Sequence, residues 1–268
     1  MSALAFMMRT LTLKSSMFTR ILFLVLTMWI PVLTGGCHED DSPSTSEAPY
    51  TPPFVTPTEA SPSVTEQSTI SVPQGEPLAI DGTLHPGEWD RAVIETFSDG
   101  SELLLMYSEG YLYLGIRANT SEMIVGNVLI DYGEEIAILH SSAALGTGVY
   151  RKEMGRWELI QDFVWRCRNR TNSESAQEER NAFLQDEHWM ATNSYIGTPN
   201  EVEYQIEMTS ETLRIAVNYI NASGPYIKIP WPIGLDDDSI KPVPGGLPQE
   251  LHFSPSEWAL IRIESSDM

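Results

Sequence analysis

Trp157, Trp165, Trp189 and Trp231 are the side chains of this sequence with the clearest chemical use. A flat indole matches the apolar C–H face of a sugar ring, while nearby carboxylates and amides take the hydroxyls at its rim. Trp165 precedes Arg166 and has Asp162 upstream. Trp189 follows Asp186-Glu187-His188. Trp231 lies between Pro230 and Pro232, ahead of Asp236-Asp237-Asp238. Polar groups in loops or at strand ends therefore flank Trp165, Trp189 and Trp231, which are the candidate ligand-binding residues. Asp236 and Asp238 are candidate oxygen ligands for a structural calcium ion. Three adjacent aspartates cannot all face one ion, however, and the glycine-punctuated loop of an EF-hand is absent. No other cofactor is expected. Covalent chemistry finds little support. His38, His85, His140, His188 and His252 lack the paired spacing of a zinc helix. The G-x-S-x-G elbow is missing, and Gly146-Thr147-Gly148 is too short for a phosphate loop. The reading is a binding module and not an enzyme.

The elements that would position these residues are mostly strands. Glu102–Tyr107 and Tyr111–Ala118 flank Ser108-Glu109-Gly110, a hairpin signal. Val125–Asp131 and Ile136–His140 form a second pair around Tyr132-Gly133-Glu134. Val202, Tyr204, Ile206 and Met208 alternate with Glu203, Gln205 and Glu207, the pattern of a strand with one apolar face. Leu213, Ile215 and Val217 continue it after a turn at Ser210-Glu211, and Trp258–Ile263 supplies a last strand. One helix is expected from a capping box at Ser175-Ala176-Gln177-Glu178 to about Gln185. Pro86 to Asp90 reads as a single turn. The stretch from His140 to Tyr150 is rich in Ser, Ala and Gly; it either admits a close neighbour or packs as a loop on the sheet. Many short strands punctuated by Gly and Pro predict an all-β fold, an antiparallel two-sheet β-sandwich of jelly-roll type with one short helix.

The N-terminus carries a different message. Arg9, Lys14 and Arg20 precede an apolar run from Ile21 to Leu33, and no acidic residue occurs in the first 36. This is an export signal over residues 1–36. Its end, Leu33-Thr34-Gly35-Gly36-Cys37, resembles the lipobox of bacterial lipoproteins, although leucine stands four residues before the cysteine and not three. The resemblance implies a lipid on Cys37 and a chain held at the outer face of the bacterial membrane or envelope. Residues 37–74 are rich in Pro, Ser, Thr and Glu and read as a disordered tether. Residues 75–268 then form the folded domain. The net charge is −21, and without the three basic residues of the signal it is −24. That sign argues against nucleic acid and against electrostatic adhesion to anionic lipid, so the membrane is a partner through the anchor alone. After loss of the signal Cys167 is the one thiol besides Cys37. It reads as a half-buried strand cysteine.

Ala79-Ile80-Asp81-Gly82-Thr83-Leu84, Glu88-Trp89, Ala92, Leu103–Tyr107 and Leu112-Tyr113-Leu114-Gly115-Ile116 form an ordered set. It resembles the opening of the family 9 carbohydrate-binding modules and their DOMON-like relatives over Ile80 to about Asp131. Asp81-Gly82 is a turn pair, Trp89 anchors a turn on the core, and Leu112, Leu114 and Ile116 line the interior. The resemblance implies a β-sandwich that in relatives binds sugar chain ends, sometimes with structural calcium, and in more distant ones haem. Met106, Met123 and His140 are the residues a haem would need. The leading expectation is a non-catalytic extracytoplasmic lipoprotein with a carbohydrate or similar polar ligand. The alternative is an interaction scaffold of the envelope without a small ligand. A haem-binding redox domain or a glycoside-acting enzyme ranks below both.

Overall fold

The computed structural model describes residues 69–192, 195–223, 227–238 and 246–264. The signal over 1–36, Cys37 and the tether up to residue 68 lie outside them. Strands form where hydrophobic alternation predicts them. Glu109 and Gly110, with φ of 48° and 92°, join β3 (Glu102–Ser108) to β4 (Tyr111–Arg117), as a tight hairpin requires. β5 (Ile124–Asp131) pairs with β6 (Glu135–Ser141). β10 (Glu201–Glu207), β11 (Thr212–Asn221) and β14 (Ala259–Ile263) follow the expected pattern. The Ser/Ala/Gly-rich stretch leads into β7 (Leu145–Glu153), which turns back as β8 (Arg156–Gln161). Short strands complete the set: β1 (Thr69–Val72), β2 (Val93–Thr96), β9 (Trp189–Ala191), β12 (Lys228–Trp231) and β13 (Glu250–Leu251).

Two sheets result. The larger runs β1-β14-β11-β5-β6-β7-β8-β13 with β12 also on β11, and the smaller runs β2-β3-β4-β10-β9. β10 and β11 are neighbours in sequence but lie in different sheets, so the turn at Ser210-Glu211 crosses between layers. β1 runs parallel to β14, which moves the start of the folded part back to Thr69, inside the expected tether. A four-residue strand whose partner lies near the other end of the chain leaves too weak a local signal to read. Leu103, Leu105, Leu112, Leu114 and Ile116 of the small sheet meet Val128, Ile130, Leu139, Ile215 and Val217 of the large one, each at most 3 % exposed. Burying each such side chain is worth about 1.5–3 kcal/mol. Gly126 on β5 makes room for a side chain of the facing layer: a Cβ there would lie 2.6 Å from the Tyr204 hydroxyl of β10.

Both outer faces are covered as well, which corrects the expectation of one solvated face on β10. Residues 78–92 fold over the small sheet, where Ile80, Leu84 and Trp89 pack on Leu104, Tyr113 and Met190. Gly115 is the floor of this contact; a Cβ there would come within 2.7 Å of Leu84 and 3.3 Å of Trp89. Carboxylates of β10 hold the backbone above. Glu203 Oε2 accepts the N–H groups of Asp81 and Gly82 at 2.9 and 2.7 Å, and Glu201 Oε2 accepts that of Leu84 at 2.9 Å. Glu203 is fully buried. Burial pushes its carboxyl up to about 7, although the two N–H donors favour the ionised form. The outer face of the large sheet carries a second apolar layer that includes Tyr150, Trp157, Phe163, Leu247, Phe253 and Trp258.

The helix α1 (Glu174–Glu187) begins two residues earlier than the Ser175 box implies. Ser173 is its N-cap, its hydroxyl accepting the Ala176 N–H at 3.4 Å. This phase buries Ala176, Arg180 and Phe183, spaced as one helical face.

Candidate functional site

The end of the large sheet where β5 turns into β6 and β7 into β8 holds a cleft of about 670 Å³. Two tight turns build its rim. Asp131 Oδ1 accepts the Gly133 N–H at 2.7 Å, and Met154-Gly155 turns β7 into β8 with both residues at positive φ. Tyr132 lies between two lining residues, Asp131 and Gly133, and is 57 % exposed; Met154 is 91 % exposed. The floor is apolar, formed by Trp157, Leu251 and Phe253. Trp157 faces Lys152 in the β7–β8 register, and the Lys152 ammonium stands 5.7 Å from the indole centroid.

The polar walls divide into groups already engaged and groups that remain available. Asp131 faces Arg214 at 3.5 Å and Glu250 pairs with Arg156 at 3.1 Å. Asp238 Oδ2 accepts the His252 N–H at 2.6 Å, which leaves its other oxygen. The His252 ring and the Ser254 hydroxyl, 3.3 Å apart and hydrogen-bonded to each other, complete the wall with Ser256. Donors and acceptors of both signs beside an apolar floor and an exposed phenol ring match a polyhydroxylated ligand.

The structure distributes the sequence-predicted residues differently. Trp189 is 1 % exposed and Trp231 3 %, and both belong to the core between the sheets. Trp189 packs on Phe183 and Tyr204, with ring centroids 5.0 and 6.0 Å away, and its Nε1–H donates to Thr147 Oγ1 at 2.9 Å. Neither indole has a face left for a sugar, so both are corrected to core residues. Flanking charge misled because a strand end places polar neighbours outside and the ring inside. Trp165 is half-buried, lying with Phe163 over Gly146 on the outer face of β7. The three do not converge on one cleft. Trp157, less favoured by its neighbours, is the tryptophan that reaches one.

Asp236 is exposed. Asp237 accepts the Ser254 N–H and the Trp258 Nε1–H, both at 2.7 Å, and so serves as a buried strut. Among the described residues no group of three or more His, Cys, Asp or Glu is arranged to hold a metal ion; Asp236 and Asp238 therefore have no third such partner there for calcium. Met106 and His140 lie on the outer faces of different sheets and cannot ligate one haem.

Cys167 occupies a loop and not a strand, with φ of 53°. Its thiol is buried and pushed up to about 11, so it is protonated at neutral pH. His140 is fully buried. Asn127 Nδ2 donates to Asn218 Oδ1 at 2.9 Å, so Asn127 Oδ1 is the acceptor for His140 Nδ1–H at 2.6 Å. The imidazole is therefore the neutral Nδ1–H tautomer, and burial drives it down to about 3. Phe163 and Trp165 cover it at 5.1 and 5.3 Å. Gly146 and Gly148, the oddity of the sequence, make room for that cover.

No protein family and no curated protein matches the chain. A crystal structure of a "putative carbohydrate-binding protein" from Bacteroides uniformis aligns with 74 % of this chain and 100 % of that one, at a TM-score of 0.40 and 11 % identity. A similarity at that level bears on neither fold nor ligand.

Proposed function

We propose that this protein is a non-catalytic binding module, exported and lipid-anchored through Cys37, that holds a carbohydrate or similar polyol in the cleft between its hairpin tips. The observation that carries the reading is one 670 Å³ space with an apolar floor and walls of hydroxyl, imidazole, ammonium and carboxylate groups, and the exposed ring of Tyr132 next to it in sequence, between the lining residues Asp131 and Gly133. The likeness of Ile80 to Asp131 to family 9 carbohydrate-binding modules supports the scaffold, because its residues here form one packing unit: Leu84 and Trp89 on Gly115, tied by Glu201 and Glu203. The export signal supports a location outside the membrane, and the net charge of −21 speaks against nucleic acid. Among the described residues no helix is long and apolar enough to cross a membrane.

Affinity electrophoresis of the full chain on a panel of polysaccharides tests the proposal. Retardation that is lost in Tyr132→Ala, with melting temperature unchanged, supports it. Migration unaffected by every polysaccharide overturns it. A second reading, an envelope scaffold without a small ligand, has one observation in its favour: Trp89, Trp157, Trp189, Trp231 and Trp258 are each at most 6 % exposed, so among the described residues five of six indoles are not presented as platforms, and the sixth, Trp165, is half-buried. Labelling of the wild type, but not of Cys37→Ala, with a fatty-acid probe in a bacterial host checks the anchor.

A further inference from the structure

Arg180 is 2 % exposed and sits on the inner face of α1. Its Nη2 donates to Asn172 Oδ1 at 2.8 Å, and its buried Nε donates to nothing. Arg117, Arg151, Arg156, Arg166 and Arg214 each face a carboxylate within 4 Å. Among the described residues Arg180 has no such partner. Glu179, its neighbour in sequence, attracts it through space but forms no ion pair with it within 4 Å; its oxygens accept from the Cys167 N–H and from Asn169. A guanidinium cannot shed its charge in a protein. A buried charge without a partner is costly, and a counter-charge relieves the cost.

Arg180 also lines a crevice of about 240 Å³ between α1, the segment 78–81 and the outer face of the small sheet. Gln177 and Asn181 project from the same helical face, at i−3 and i+1 from Arg180, and Gln205 of β10 and Met190 of β9 form the opposite wall. Asp81 stands at the edge with its carboxylate turned to the Thr83 N–H and His85. Gln177 Nε2 donates one hydrogen to the Asn172 carbonyl at 3.3 Å and keeps a second; one buried cation and three carboxamides are the donor set of an oxyanion site. The volume equals about eight waters at ~30 Å³ each, enough for one small acid or one acidic sugar residue and too little for a chain.

We propose that this crevice binds an oxyanion, Arg180 together with Gln177, Asn181 and Gln205 taking the carboxylate, sulfate or phosphate group of one small ligand. It shares no residue with the hairpin cleft, so the two proposals stand or fall separately.

Thermal unfolding and calorimetric titration of the full chain test it. The probes are sulfate, phosphate, glucuronate and glucose, at constant ionic strength made up with chloride. The expected result is a saturable rise in melting temperature with at least one oxyanion and none with glucose. Response to sulfate or phosphate identifies an inorganic anion or ester group as the ligand; response to glucuronate identifies an acidic sugar. Arg180→Met should lose the response by at least tenfold in affinity. Gln177→Glu, which supplies a carboxylate one turn from Arg180, should lose it equally while raising the melting temperature in anion-free buffer, and it serves if Arg180→Met does not fold. Equal stabilisation of wild type and both variants, or no saturation with any oxyanion, overturns the proposal.

Discussion

Replacing Glu203 by Gln should remove a pH dependence of stability whose size follows from where that carboxyl sits. Glu203 lies under residues 81 and 82 with no exposed surface, and both backbone N–H groups reach the same oxygen, Oε2. The other oxygen is buried without a partner. Glutamine keeps one oxygen for the two donors and carries no charge. In the folded chain the carboxyl is raised from its ordinary 4.5 to about 7. A raised carboxyl stabilises the fold when protonated. Its contribution is complete below about 4.5, shrinks as pH rises, and is gone above about 7. At 1.36 kcal/mol per pH unit the span corresponds to about 3 kcal/mol. The assay is urea unfolding of wild type and Glu203→Gln at pH 4.5, 6, 7 and 8, followed by far-ultraviolet circular dichroism. Taking the difference between the two proteins at each pH cancels the other titrating groups. The wild type should lose about 3 kcal/mol relative to the variant between pH 4.5 and 8. A difference that stays constant would show that the carboxyl titrates as it does in water, and the account of the 78–92 layer as a dry, Glu-clasped cover would fail.

His140 should act in the opposite sense. Its folded value of about 3 lies below the ordinary 6.5, so its stabilisation is present above 6.5 and is lost as pH falls toward 3; His140→Gln should flatten that acid limb in the same denaturation series. Gly126→Ala should cost about 1–3 kcal/mol, because its new methyl would meet the Tyr204 hydroxyl at 2.6 Å, and Tyr204→Phe should recover part of the loss in a double-mutant cycle. Gly115→Val should destabilise by a similar amount by lifting Leu84 and Trp89 from β4, read as a lower urea midpoint. Cys167 should resist thiol reagents in the native chain at pH 8 and react on unfolding, since its buried thiol is held near 11.

Local pattern was enough to show that this chain is built of strands. The hairpin at Glu109-Gly110, the β5–β6 pair and the buried side of β10 follow from alternation with period two and from glycine in turns, which act over a few residues. The Asp81–Trp89 segment was legible as a structural unit for the same reason. Which sheet each strand joins was not, because β10 and β11 are consecutive yet separate, and β1 finds β14 from the far end of the chain. The candidate site was misread through tryptophan. Charged neighbours do not reveal which side of a strand an indole occupies, and Trp189 and Trp231 turned inward. The cleft beside Tyr132 and the crevice at the buried guanidinium of Arg180 arise from segments distant in sequence: the tips of the β5–β6 and β7–β8 hairpins against residues 250–256, and α1 against residues 78–81. Burial, orphaned hydrogen-bonding atoms and shifted titrations are properties of such juxtapositions, so composition and spacing determined the fold class, while only the packed layers decided where a ligand could be held.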